Sequence, residues 1–298
     1  MDVSIIIVNY NTFSHTKAAI ESVFEKTEGI TYEIILIDNN SPDGSGQELK
    51  YFFNEKIVYL QNHENVGFGR ANNEAAKIAK GRNLFLLNSD TILVNNAVKI
   101  LSDYLDSNPR VGCCGGNLLD TDKKPVHSFS RYFVPSVFEE INQLFFKLPE
   151  KLLYGKNTIY NNTNKPLKVA YITGADLMIR KNIFDTLNGF APDFFMYHEE
   201  SELEYRVKNS NYLIISVPFA QIIHLEGKSF SNNFDKLKKY YFSRGIYLRK
   251  MHSQVIIYII NFLFRCRTIT RLFLFTILRN KEKIVLWSEI NRLLSPPH

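Results

Sequence analysis

Four short apolar runs, each ending in polar residues and separated by stretches of helical composition, constrain this chain more than any other feature. They are VSIIIVN (3–9), EIILID (33–38), KIVYLQN (56–62) and NLFLLNSD (83–90). Near-continuous Ile, Val and Leu over so few residues suits strands buried on both faces, and alternation with helices favours a mainly parallel sheet covered on both sides. HTKAAIESVFEK (15–26) and GRANNEAAKIAK (69–80) supply two helices, with Gly81 expected as the C-terminal cap of the second. NNAVKILSDYLDS supplies a third, stopped before Pro109. Ligands of such sheets bind beyond the carboxyl ends of the strands, so Asn9, Asp38, Asn62, Asn88 and Asp90 are the first candidates.

The rhythm is lost over residues 120–168, where NTIYNNTNKP (157–166) has the composition of an exposed connection or lid. It returns with VAYITGADLMIR, a strand around Gly174, then ESELEYRVKN, a short helix, and YLIISVPFAQIIH, a strand pair ending at His224. The three cysteines, Cys113, Cys114 and Cys266, include an adjacent pair unsuited to bridging, and no signal peptide precedes the first apolar run, so a reducing cytosol is expected.

The net charge of +6 belongs to the tail: residues 1–230 carry 23 Lys/Arg against 27 Asp/Glu, residues 231–298 carry 13 against 3. VIIYIINFLF (255–264) and TITRLFLFTILR are both shorter than the roughly 20 residues a membrane span needs, and Arg265, Arg267 and Arg271 interrupt them. Two readings stand for this segment. One is a pair of amphipathic helices lying on an anionic leaflet; the other is ordinary core helices with a solvated basic face.

Among the candidates, Asp90 in LLNSDT reads either as a metal ligand, since Mg2+ and Mn2+ take hard oxygen donors, or as a turn or cap acid. Asp38 in LIDNNSPDGS either shapes its turn or accepts the imide N–H of a pyrimidine. NVGFGRANN (65–73) fails the dinucleotide fingerprint because Asn72 occupies the third glycine position, leaving a loop whose amides suit a phosphate or sugar. His224 is either structural or, with distant acids, a ligand to a metal or phosphate. In FFMYHEESELEYR (194–206), Glu202 and Glu204 suit the first turns of a helix, whereas Glu199 and Glu200 follow an aromatic run whose walls strip water from a carboxylate and suit it to general-base work.

Taken in order, VSIIIVNYN, EIILIDNNSPDGS, NVGFGRANN, LFLLNSDT, TGADLMIR, NGFAPDFFMYHEESELEYR and IIHLEGKS resemble the signature blocks of family 2 glycosyltransferases, in the rhamnosyltransferase-like branch, over roughly residues 1–230. The resemblance implies a GT-A fold, a Rossmann-like mixed sheet flanked by helices, for residues 1–230, with a basic helical extension over 231–298. It implies an inverting transfer of a sugar from a nucleoside diphosphate donor, dTDP-rhamnose or a UDP-hexose, to a glycan or lipid-linked oligosaccharide in bacterial surface polysaccharide synthesis. By match, Asn9, Asp38, Asn72, Asn88 and Asp90 would face the donor. Asp90 and His224 would hold Mn2+ or Mg2+, Gly174, Ala175 and Glu199 would line the sugar and acceptor side, and Glu200 would be the base. Asn88 replaces the first acid of a strict DxD block, and Glu200 replaces the usual Asp.

The rival enzyme reading, a sugar nucleotidyltransferase, needs a glycine-rich, Arg/Lys-bearing loop near the N-terminus that VSIIIVNYNTFSH lacks. A catalytically silent GT-A module is the other alternative, and nucleic acid is not an expected partner. The expected location is cytoplasmic, peripheral on the inner face of the cell membrane.

Overall fold

In the computed structural model, residues 1–225 and 234–294 are described. The first half follows the expected alternation. Strand β1 (Val3–Asn9) leads to helix α1 (Phe13–Lys26), β2 (Tyr32–Asp38), α2 (Ser45–Phe53), β3 (Val58–Gln61), α3 (Phe68–Ile78), β4 (Asn83–Asn88), β5 (Thr91–Leu93), α4 (Ala97–Ser107) and β6 (Val111–Leu119). Then come β7 (Phe129–Ser130), α5 (Val137–Leu144), α6 (Leu148–Tyr154), β8 (Leu167–Lys168), β9 (Tyr171–Ile172), β10 (Asp176–Arg180), α7 (Lys181–Thr186), α8 (Glu199–Asn209) and β11 (Leu213–His224). Three helices close the chain: α9 (Phe234–Met251), α10 (Gln254–Ile277) and α11 (Lys281–Leu294).

The main sheet has the order β3-β2-β1-β4-β10-β6-β11-β5, with β8 joined to β11, and β7 pairs with β9 apart from it. It is mixed, as the family resemblance implied, and not mainly parallel. Strands β3, β2, β1 and β4 are parallel, β10 runs against both β4 and β6, and β11 is parallel to β6 but antiparallel to β5 and β8. Because β10 opposes both neighbours, β6 and β11 point the same way as β4. His224 therefore reaches the same sheet edge as Asn88.

Side chains alternate between two cores, as a two-residue period requires. Ile5, Ile7, Ile34, Leu36, Phe85 and Leu87 pack beneath α1, α2 and α4, while Ile6, Ile35, Ile37, Leu84 and Leu86 pack against Ala71 and Ala75 of α3 and Leu203 and Val207 of α8. Burial of both faces is why these runs carry almost no polar residue.

Several elements depart from the sequence reading. Helix α2 was hidden inside a turn-rich stretch and starts from Gly44 at φ 80°. Strand β6, VGCCGGNLL, is buried throughout although glycines weaken strand propensity. Gly81 is not a cap: α3 ends at Ile78 with Ala79 as C-cap, and Gly81 instead lies against Val3 and Ser4 of β1. VAYITGADLMIR is broken into β9 and β10 around Gly174, and YLIISVPFAQIIH forms one strand rather than a pair. The 157–166 connection is tied down rather than loose, with Asn161 buried and exchanging hydrogen bonds with Asn117 at 3.0 and 3.2 Å. In the tail, the two apolar runs join into the 24-residue α10, and no helix among the described residues is long and apolar enough to cross a membrane. The expected boundary at 230/231 and the Glu226–Ser229 part of the IIHLEGKS block lie outside the described residues.

Candidate active site

The carboxyl ends of β1, β2 and β4 place Asn9, Asp38 and Asn88 along one edge of the sheet. Asn9 and Asp38 form a locked pair: Asn9 Nδ2 donates to Asp38 Oδ1 at 2.7 Å, and Asn9 Oδ1 accepts from Thr16 and Thr12 at 2.8 and 3.0 Å. Asp38 also accepts from the Ser41 amide and hydroxyl and from Gln61 Nε2, so a side chain only 2% exposed already has four donors. These bonds are what the turn-forming reading of Asp38 calls for. A Cβ on Gly46 would come within 2.3 Å of the Asp38 carboxyl carbon, so the α2 backbone closes directly over it. Gln61 and Ser41 were missed from the sequence. The parallel register that sets Gln61 beside Asp38 was the available signal. Asn62 turns instead to Asn39, donating to its Oδ1 at 3.0 Å.

The Asp90 and His224 side chains meet, with His224 Nε2 3.3 Å from Asp90 Oδ1. Antiparallel pairing of β5 with β11 sets His224 opposite Thr91, and the Leu225 amide donates to the Asp90 carbonyl at 2.8 Å. Burial pushes the Asp90 carboxyl upward, but the His224 hydrogen bond and charge, with a contribution from His15, outweigh it and hold the pKa below its ordinary value. Among the described residues no group of three or more His, Cys, Asp or Glu side chains is placed to hold a metal ion. The two-donor set nevertheless fits a hard divalent cation, which commonly takes only one or two protein ligands and completes its shell with substrate phosphates and water.

Asn88 links this edge to the acids of α8. Its amide donates to the Ala175 carbonyl at 3.0 Å, and the adjoining Gly174 faces Glu200: a Cβ there would stand 3.8 Å from Glu200 Cγ, an ordinary van der Waals contact. Asn72 lies on the buried face of α3, where its amide donates to the Phe68 carbonyl and its Oδ1 is buried without a donor.

Chain entry into α8 is unusual. Tyr197 and His198 have φ of 72° and 68°, a left-handed conformation costly for non-glycine residues and found preferentially at functional sites. It turns the chain so that consecutive acids meet different surroundings. Glu199 is buried, Oε2 lacks a partner, and burial reinforced by the Glu200 charge drives its pKa well above the glutamate range. Glu200 is half-buried; burial raises its pKa, partly offset by hydrogen bonds from the backbone amides of Glu200 and Ser201. Glu202 is clamped by Arg206 through two contacts of 2.9 and 2.6 Å, and Arg206 also caps the Leu187 and Gly189 carbonyls. Glu204 receives the Ile172 amide on both oxygens, at 3.1 and 2.8 Å, and holds β9 in place.

Of the four acids, Glu200 is the one that opens onto a cleft, of ≈ 250 Å³, shared with Glu139, Tyr132, Tyr171, Tyr197 and Tyr240. The Tyr132 hydroxyl and Asn142 Nδ2 both donate to Glu150 at 2.6 Å and stiffen its wall. Tyr197 belongs to the aromatic run read from sequence; Tyr132, Glu139, Asn142 and Glu150 were not found because residues 120–168 carry no clear periodicity, and Tyr171 and Tyr240 because β9 and α9 reach the cleft only through the fold. Asp176 was also missed: it is fully buried, takes the Gly116 amide at 2.5 Å, and burial pushes its pKa far up.

The profile of the family described as glycosyl transferase family 2 matches residues 4–187. The chain is 24% identical over 266 residues to N-acetylglucosaminyl-diphospho-decaprenol L-rhamnosyltransferase of Mycobacterium tuberculosis, covering 84% of each. It is 28% identical over 160 residues to the UDP-Glc:alpha-D-GlcNAc-diphosphoundecaprenol beta-1,3-glucosyltransferase WfaP of Escherichia coli, covering 54% of this chain and 57% of that one. Among solved structures, GalNAc-T7 with UDP, GalNAc and Mn2+ superposes with a TM-score of 0.59 at 19% identity, over 81% of this chain but only 47% of GalNAc-T7. At that identity the superposition speaks for the fold, which is GT-A.

Proposed function

This chain belongs to glycosyl transferase family 2, and from that premise we propose that it is an inverting, metal-dependent transferase acting from a nucleoside diphosphate sugar onto a glycan or lipid-linked oligosaccharide. The observation that carries the proposal is the common placement of Asp90 with His224 at the carboxyl edge of the sheet and Glu200 at a cleft, joined through Gly174, Ala175 and Asn88.

Glu200 takes the proton of the acceptor hydroxyl as that oxygen bonds the anomeric carbon, and the bond from that carbon to the diphosphate oxygen breaks with its electron pair leaving on the diphosphate. A carboxylate with raised proton affinity suits this task better than an ordinary one, because it is a stronger base. Gly174 borders Glu200, and Glu199, whose proton affinity burial raises, shapes the sugar side. Mn2+ or Mg2+ held by Asp90 and His224 would supply positive charge for the departing diphosphate. Asn9 and Asp38 line the nucleotide end, where Asp38 reads a pyrimidine by exchanging one of its present donors, Ser41 or Gln61, for the ring N–H. Asn72, with an unpartnered buried oxygen, and Asn88 complete the donor side.

The donor favoured is dTDP-rhamnose, by likeness to the mycobacterial rhamnosyltransferase, with a UDP-hexose as the alternative that the E. coli glucosyltransferase supports. Both relatives' names specify a polyprenyl diphosphate acceptor, which supports a lipid-linked acceptor, a role in bacterial surface polysaccharide synthesis, and a working place on the cytoplasmic face of the membrane. Residues 1–230 form the catalytic unit and 231–298 the extension. The test is transfer of radiolabelled sugar from dTDP-rhamnose and from UDP-glucose to a polyprenyl diphosphate sugar, with and without Mn2+. Absence of transfer from every nucleotide sugar, with no metal-dependent nucleotide binding, would overturn the reading.

A further inference from the structure

A second cavity of ≈ 240 Å³ lies between α9, α10 and α11, lined by Tyr241, Arg244, Arg249, Asn261 and Arg265. Its guanidiniums are not neutralised alike. Arg244 is buried and bonded to Glu140 at 3.1 Å, a carboxylate it shares with Arg267 at 3.4 Å. Arg249 and Arg265 are exposed and have no carboxylate partner among the described residues. A cavity presenting three arginines, two of them uncompensated, is built for a phosphate group.

The surface around this cavity is apolar. Val255, Tyr258, Phe262, Ile269 and Phe273 of α10 are each more than half exposed. Their spacing of three, four, seven and four residues puts them on one helical face, and Arg265 falls within the same stripe. The opposite face of α10 carries Phe264, which packs on Leu237 and Ile290, so the exposed stripe is an outer surface and not a misplaced core.

We propose that the arginine cavity takes the phosphate of an anionic phospholipid while the apolar stripe of α10 seats among the lipid chains around it. Charge decides among occupants. A second copy docking through this face would bring its own arginines against these, a like-charge contact that an isologous interface cannot avoid. Nucleic acid would gain nothing from five exposed hydrophobic side chains beside the phosphate site. A helix lying flat with cationic and apolar residues together is the form that binds an anionic leaflet. Because Tyr240 lines the Glu200 cleft and Tyr241 the arginine cavity, docking here holds the cleft close to the bilayer, where a lipid-linked acceptor presents its sugar. This inference rests on the surface-association part of the proposed function and not on the transfer chemistry.

The experiment is co-sedimentation of the full chain with vesicles of phosphatidylcholine alone and of phosphatidylcholine mixed with phosphatidylglycerol. Binding to the mixed vesicles only is expected. It should fall on the order of 30-fold in the double variant Arg249→Gln/Arg265→Gln, each basic side chain near an anionic surface contributing about fivefold. Phe262→Ser/Phe273→Ser should weaken it independently, while circular dichroism and transfer to a detergent-soluble acceptor stay unchanged in both. Equal binding to neutral vesicles, or binding indifferent to both arginines, overturns the proposal. So does inorganic phosphate bound at the arginine pair without vesicle binding, or sedimentation equilibrium showing a dimer that Phe262→Ser/Phe273→Ser dissociates in place of vesicle binding. If transfer is never observed but vesicle binding still needs the arginines, the function fails and this site stands.

Discussion

His224 Nε2 stands 3.3 Å from Asp90 Oδ1, and the two are held there from both sides by the β5–β11 pairing and by the bond from the Leu225 amide to the Asp90 carbonyl. The sequence offered each residue separately as a ligand candidate and did not show that the two side chains meet. Their meeting is a consequence of two strands at one end of the sheet.

From that pair, Asp90→Asn is expected to reduce transfer on the order of 100-fold or more, as loss of several kcal/mol of charge stabilisation implies. The accompanying readout is the melting-temperature rise produced by nucleotide plus Mn2+, which should shrink in Asp90→Asn and in His224→Ala but persist in Glu200→Gln. Undiminished metal-dependent stabilisation in both variants would place the ligands elsewhere.

Glu200→Gln is expected to bind donor normally and lose transfer by roughly 100-fold to 10,000-fold, the usual worth of a positioned base. Because burial raises the Glu200 pKa above 4.5, activity should fall with decreasing pH along a limb centred above the position of an ordinary glutamate. A limb at or below 4.5, or a variant with full turnover, removes Glu200 from the role.

Gly67 has φ 87°, and a Cβ there would come within 2.2 Å of the Phe195 carbonyl, which accepts from the Phe68 amide at 3.0 Å. Gly67→Ala is therefore expected to destabilise by more than the ~1–2 kcal/mol of the left-handed backbone alone and to reduce transfer as well, since Phe195 leads into Tyr197 and Glu200. Gly44→Ala, at φ 80° with nothing within 4 Å, serves as the control and should show only the backbone cost. Denaturant midpoints and transfer rates of the two variants check this.

His198 is buried, and burial together with the Arg244 charge brings its pKa down to about 3 from 6.5, against the opposing bond to the Val134 backbone. The unfolded chain takes up a proton as pH falls below 6.5 while the folded chain does not, so stability drops toward low pH and the effect saturates only near 3. His198→Asn, whose side chain tolerates φ of 68°, should flatten the stability profile in this window by up to ~1 kcal/mol per pH unit. Parallel slopes for the two proteins by urea unfolding would contradict it.

Much of the first half was legible because its strands and the polar residues at their ends sit at predictable places. β1, β2 and β4 announce themselves as short, mostly apolar runs, and a sheet covered on both faces leaves polar residues mainly at or beyond the strand ends, where Asn9, Asp38, Asn88 and Asp90 stand. Helix α2 and strand β6 were not legible, because turn residues and glycines outweigh local propensity and only packing against the sheet holds them.

The amino-acid sequence by itself determined the alternating strands and helices, the candidate acids and the basic tail, since these follow from periodicity and charge along the chain. Tertiary structure decided which acid does what. Glu199, Glu200, Glu202 and Glu204 look alike in sequence, but one is sealed in the core, one opens on a cleft, one is clamped by Arg206 and one carries the Ile172 amide. Hydration and partners, which set proton affinity, are properties of the folded surroundings and not of the residue.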